Sequence, residues 1–449
     1  MTHQETKRHT MTHLLKMLGG LTIAVGLVVA DMPTVWTAQS APVNVPGIDK
    51  PVVVVTGDIE GVEEWTNNNY YVLRGAVFIL DGAVLNIQAG TTVVGEAGSV
   101  GTLIVLRGGK LNAIGTREQP IVMTSDQAPG TRARGDWGGL IINGRAPVNI
   151  PGGEGVGEAD TGIYGGNDPN DDSGSLKYVR LEFAGSEFSP DNELNGIAFQ
   201  GVGRGGSYEH IQIHMNRDDG LEWFGGTADI KYAVLSNIAD DSFDWTFGWQ
   251  GRAQFIAAHQ RSDDADWGIE ADNNEFNNNF LPRANPQIYN MTICGDPDRV
   301  EGNESVRAVL FRRGTAVTFR NFVIVGSKTL GMQIDGAATI EQINNGTTQI
   351  GAGVIFGPVT PLHAGTAPFV ASGRFPDVRT GVDPGLSPDC FRHEAPDFRP
   401  TSAATLAGGL LAPIQPPADG FFEPVDFIGA VPPPPQDDWT AGWTAYPQD

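Results

Sequence analysis

Three acidic and aromatic pentapeptides stand 22 residues apart: DGLEW from Asp219, DSFDW from Asp241 and DDADW from Asp263. A repeat of 20 to 50 residues is the period of a solenoid, in which residues one coil apart lie about 4.8 Å from each other. Asp219, Asp241 and Asp263 then form one column, Glu222, Asp244 and Asp266 a second, and Trp223, Trp245 and Trp267 a third. Like charges at that separation need protons, donors or a bound cation.

Two chemistries fit such columns. Carboxylates are hard oxygen ligands, suited to calcium rather than zinc. Asp219, Glu222, Asp241, Asp244, Asp263 and Asp266 are therefore candidate calcium ligands. Paired carboxylates also serve glycoside hydrolysis, one as acid and the other as nucleophile or base. That makes Asp219, Asp241, Asp244 and Asp263 the candidate catalytic residues. Arg217, Arg252, Arg261 and His214 are nearby candidates for holding a substrate, and Trp249 is a candidate for stacking on a sugar ring. The Trp column itself reads as core, because a narrow solenoid interior is filled by stacked like residues. His210, His214 and His259 share no 22-residue column, which argues against a histidine metal site. No nucleophile elbow, phosphate loop or dinucleotide fingerprint is present.

The elements around the repeats must be short. Runs such as Ala76 to Leu80, Val84 to Ile87, Leu103 to Leu106 and Ile121 to Thr124 are separated by Gly, Asp or Asn, with no helical pattern between them. Propeller blades need about 40 residues of antiparallel strand, whereas a 22-residue coil holds three short strands and three bends. The predicted class is all-β: a single-stranded right-handed parallel β-helix, spanning residues 70 to 356, with long loops at 147–173 and 186–193. Residues 41 to 69 read as a lead-in and N-terminal cap. Residues 357 to 449 form an irregular, Pro-rich tail, too aromatic to be free and expected to pack along the solenoid or cap its end.

Lys7, Arg8, His9 and Lys16 precede an apolar run from Leu18 to Ala30, and Ala38-Gln39-Ser40 offers a cleavage site. Residues 1 to 40 thus read as an export signal rather than an anchor, and no Cys follows the run to carry a lipid. The two cysteines, Cys294 and Cys390, fit one disulfide in an oxidising compartment, or two buried thiols. A net charge of -24 opposes nucleic acid and anionic membranes and favours cations.

The segments TLIVLRGGKLNAIGTREQPIVMTS, WGGLIING, DDGLEWFGG, DDSFDWTFGWQG and DWTAGWTAYP resemble a family of exported bacterial parallel β-helix proteins, mostly uncharacterised and some of them lipoproteins. The resemblance runs roughly from Gly57 to Trp443 and implies the fold, but no activity. The architecture is also similar to that of pectate lyases and polygalacturonases. Polygalacturonases use an adjacent Asp pair, a further Asp, a His and an Arg-x-Lys signature; of these, this chain shows only Asp240-Asp241. Pectate lyases use carboxylate-bound calcium and an Arg base, a part that Arg217, Arg252 or Arg261 could take.

The expectation is an exported protein of the extracellular space, cell surface or periplasm, non-catalytic, binding polysaccharide or cations through an acidic face. Another cell-surface protein, or self-assembly, is the alternative partnership. A polysaccharide lyase or hydrolase and a structural assembly protein are the alternative functions.

Overall fold

The computed structural model describes residues 49–189, 192–261, 263–297, 307–402 and 411–448. The export signal expected over 1–40 lies outside these residues. The chain winds into a right-handed parallel β-helix. Val52–Ile59 pairs in parallel with Tyr70–Ile79, and Val62–Trp65 with Val84–Gln88. The same stacking repeats to Gln349–Phe356 and Val378–Thr380. Strands therefore extend beyond 70–356 at both ends: the expected cap over 41–69 contains the first coil, and the expected tail contributes the last pairings. Short valine-rich and polar strands too weak to read alone are held there by the coil beneath.

The interior is one continuous apolar column from Ile59 to Val378. Like stacks on like within it. The Phe199 and Trp223 rings lie 5.1 Å apart, and Trp223 and Trp249 4.4 Å. Trp223 and Trp245 stack in this core as expected, but Ala271 takes the third place in their column, and Trp267 is buried apart from it against Leu310 and Leu330.

One bend repeats in seven successive coils. Tyr178, His210, Tyr232, Phe255, Asn290, Asn321 and Ala352 all adopt left-handed φ between 50 and 61°. The conformation costs a non-glycine residue on the order of 1–2 kcal/mol. Ring stacking along the outside of the bend offsets it, with centroids at 4.2, 4.4 and 5.0 Å from Tyr178 through His210 and Tyr232 to Phe255. Further on, Asn replaces the rings, since its short side chain tolerates this region best.

The C-terminal tail lies along this face, as its aromatic content predicts. It is held by side-chain amides of the solenoid that pair with its main chain. Gln254 donates to Glu423 O and accepts from Glu423 N, both at 2.8 Å. Gln212 does the same with Ala445, at 2.8 and 3.0 Å, and Asn321 with Ile414, at 2.8 Å both ways. Each amide thus supplies the donor and acceptor that a neighbouring strand would. Trp439 and Trp443 cover the stacked bend residues. A Cys294–Cys390 disulfide, with Cα atoms 6.0 Å apart, ties the tail to the body.

Trp443 is fully buried, and its loss leaves a cavity between tail and solenoid. Trp443→Ala is expected to cost about 3–5 kcal/mol in chemical denaturation. Limited proteolysis should then cut within residues 411–448 before it cuts the coils.

Candidate functional site

The outward-facing positions on one side of the solenoid form a single row. It runs Ile141, Ala198, Glu222, Asp244, Glu270 and Leu310, each in register with the next. The first part is apolar and roofed by the expected excursion after Pro147, whose Val148 and Tyr164 pack on Ile104, Ile141 and Ala198. The second part is acidic. Its carboxylates are half-buried, set between the roofing loop and the arginines of later coils.

Glu222 and Asp244 are 22 residues apart, as the repeat requires, but Asp244 pairs with Glu270, 26 residues on. The third repeat is therefore displaced by four residues. Asp263 leaves its expected column and becomes an exposed turn residue, paired with Arg134 at 3.3 Å and Arg261 at 3.1 Å. Trp267 occupies its place: its N–H donates to Asp241 Oδ1 at 2.7 Å, as the Asp241 N–H donates to Asp219 Oδ1 at 3.0 Å. Asp266 stacks on Asp240 rather than on Asp244, its N–H donating to Asp240 O at 3.1 Å.

The structure thus brings together Asp219, Glu222, Asp241, Asp244 and Asp266, and excludes Asp263. The expected substrate contacts do not join this group. Trp249 is fully buried and donates from Nε1 to Ala228 O at 3.0 Å, because the chain turns inward there. Arg217 pairs with Glu187 at 2.8 Å, and Arg252 with Asp229 and with Asp419, the latter at 2.8 Å. Arg261 pairs with Asp263. His214 lies buried on the tail face, with Nδ1 2.9 Å from Ser236 Oγ and Nε2 2.6 Å from Pro447 O.

Other residues complete the strip. Asn195 Nδ2 donates to Glu222 at 2.7 Å and to Glu158 of the roofing loop at 2.9 Å. At the other end Arg312 bonds Glu270 and, at 2.9 Å, Asp272; Arg313 reaches Asp272 at 2.6 Å, and Arg307 bonds Asp266. Asp244, in the middle, has no hydrogen bond or ion pair among the described residues. The Glu270 position is legible only once the four-residue slip is known, and Glu158 only once the loop is folded.

Candidate ligand oxygens of Asp219, Asp241 and Asp244 all lie within 4.8 Å of one another, as do those of Asp218, Asp219 and Asp240 and those of Asp240, Asp241 and Asp266. These clusters could hold a metal ion. Burial is the main reason that the carboxyls of Glu158, Asp219, Glu222, Asp241 and Asp244 stand well above the usual range. Neighbouring carboxylates add to it, Glu270 and Asp272 in the case of Asp244. Burial also pushes Glu270 up to about 7, against the pull of Arg312.

The coil architecture is that of a known class. Residues 57–368 match the pectate-lyase-like beta helix domain. The chain belongs to that family. No curated protein and no solved structure matches it significantly. The family supplies the pectate-lyase-like β-helix scaffold, while the carboxylate strip is a property of these residues.

The strip makes stability depend on pH. Folding raises these carboxyl pKa values, so it favours the protonated form. That contribution is complete below the unfolded value near 4 and is lost as pH rises through the folded value, about 7 for Glu270. Asp244→Asn should therefore be more stable than wild type at pH 8, on the order of 1–3 kcal/mol, and equal to it near pH 4. Buried His214 and His259, depressed to about 4 and about 3, act oppositely but cancel in this comparison. Urea denaturation of both proteins at the two pH values checks it; a gain that persists in acid would assign the effect to something other than charge.

Proposed function

We propose that this protein is an exported β-helix that binds divalent cations, calcium first among them, on the Asp219–Asp241–Asp244 carboxylates, and polysaccharide along the strip around them. The observation that carries this reading is Asp244: a half-buried carboxylate without a direct donor, with candidate oxygens of two further carboxylates within 4.8 Å. A hard cation relieves that repulsion at once. Asp219 and Asp241 already spend one oxygen each on a main-chain N–H of the next coil, which supports a role in which the other oxygen meets a cation rather than one in proton transfer. The scaffold's pectate-lyase-like membership supports a polysaccharide-related role. The disulfide suits an oxidising compartment outside the cytoplasm, and among the described residues no helix is long and apolar enough to cross a membrane.

A second reading, a glycoside hydrolase, is favoured by Glu270, a carboxyl held near 7 beside Asp244 in the next coil. A carboxyl raised by burial toward neutral pH suits the part of a general acid.

Calcium at 100 times its dissociation constant should stabilise the protein by about 2.7 kcal/mol over chelator, and Asp244→Asn should abolish the gain. An unfolding temperature that is the same in chelator and in excess calcium removes the cation reading. Release of reducing ends from a polysaccharide panel, lost in Glu270→Gln, would establish the hydrolase instead.

A further inference from the structure

The tail lies over histidine. Of the five histidines among the described residues, His210, His214, His259 and His393 all stand where the tail meets the solenoid. His210 is held between the rings of Tyr178 and Tyr232, 4.2 and 4.4 Å away, and under the edges of Trp443 and Trp439, 5.9 and 6.5 Å away. Its Nδ1 is buried and has no hydrogen-bond partner among the described residues. The charges around the ring are Glu209, Lys177 and Arg117 of the coils and Glu423 of the tail.

His214 is fully buried. Its Nε2 donates to Pro447 O at 2.6 Å, which leaves Nδ1 to accept from Ser236 Oγ at 2.9 Å. That is the hydrogen-bond pattern of a neutral imidazole. Around it stand Arg134, Arg180 and Arg261 of the solenoid, Tyr446 of the tail, and Glu182, its neighbour in register, which Arg180 engages at 3.1 Å. His259 follows Ser236 in the same column and faces the Phe391 main chain and the His393 ring, whose centre is 5.2 Å from its own. His393 Nε2 is 3.7 Å from Asp296 Oδ2. The His393 carbonyl accepts from Asn237 of the solenoid at 3.2 Å and from Gln448 at 2.9 Å, so it couples the end of the tail to the coils.

A proton on these rings is a charge held out of water, beside three arginines at His214 and beside a second imidazole at His259. When the tail lifts, the rings meet water and recover an ordinary value near 6.5. Under the tail, burial above all holds His210 and His214 at about 4 and His259 at about 3. The uncovered state therefore binds protons more tightly. Support for the covered state is complete above pH 6.5 and is lost as pH falls towards 4, by about tenfold per unit for each ring. The Glu182 carboxyl, raised by burial, pulls the other way, one group against three.

We propose that the tail is an acid-released strap: protonation of His210, His214 and His259 frees residues 411–448 from the solenoid and bares the stacked bend rings with the amides of Gln212, Gln254 and Asn321. This goes beyond the acidic strip and stands on different residues, on the other face.

The test is amide hydrogen exchange read by mass spectrometry on the full chain, disulfide intact, at pH 7.5 and pH 5 and corrected for the intrinsic rate at each. From 6.5 to 5 each buried ring contributes about thirtyfold. Protection in residues 411–448 should fall at least a hundredfold, while the core strands keep theirs. His210→Phe and His214→Gln should each remove about thirtyfold of that fall. Phe255 already fills the place equivalent to His210 with the same left-handed backbone, so His210→Phe keeps the stack and tests the strap even where His214→Gln disturbs it. Asp244→Asn should leave the fall unchanged. Equal protection at the two pH values, an undiminished fall in both histidine variants, or core strands that lose protection together with the tail overturns the proposal. So does a fall that disappears in Asp244→Asn, which would place its origin in the strip.

Discussion

Everything in this molecule follows from parallel coils stacked one strand spacing apart, about 4.8 Å. In that geometry each residue has as its nearest non-local neighbours the residues directly above and below. Inside, the rule is favourable, because Phe199, Trp223 and Trp249 can pile ring on ring. Outside, the same rule sets Glu222 against Asp244 and Asp244 against Glu270. The repeat that builds the core also builds the electrostatic difficulty. The chain meets it at the two ends of the strip, with Asn195 at one and Arg312 at the other. In the centre it leaves Asp244 without a direct partner.

The two long faces are furnished for different ends. The strip side presents half-buried acid under a loop that crosses from Pro147. The tail side presents amides and aromatic bends, then covers them with the chain's own C-terminal segment. Where that cover stops a cavity remains, lined by Arg132 and Arg180 beside Asp126 and Glu182. A solenoid allows this separation because bends isolate its faces, so each can be altered without repacking the other.

Much of this was legible in the sequence. The 22-residue repeat, the short strands with Gly, Asp or Asn at the bends and the aromatic tail were sufficient for the β-helix, the core positions of Trp223 and Trp245 and the docked tail. The site was legible only in part. The turn containing Asp263 and Asp264 adds four residues to one coil, and nothing in its composition marks the change. It moves Asp263 out and brings Glu270 in. Glu158 reaches Glu222 through a loop whose path depends on apolar packing by Val148 and Tyr164, not on any periodicity. Trp249 was misjudged because an aromatic residue just past a strand can turn to either side, and here the bend carries it inward. The left-handed bend column has a sequence trace only in Asn290 and Asn321. At Tyr178, His210, Tyr232 and Phe255 stacking overrides local preference.

The amide clasps on the tail have a further consequence. Gln212, Gln254 and Asn321 hold N–H and C=O groups that every residue other than proline possesses. At Ala445, Glu423 and Ile414 the grip is therefore indifferent to side-chain identity. Side chains add to that grip where they can, as Glu423 does by accepting from Tyr232 and Lys231 and Ile414 by packing on the buried tail cluster. The register of the tail is thus set by the solenoid's amides, while the tail's own buried side chains, Phe427, Ile428, Val431, Trp439 and Trp443 among them, supply the apolar packing.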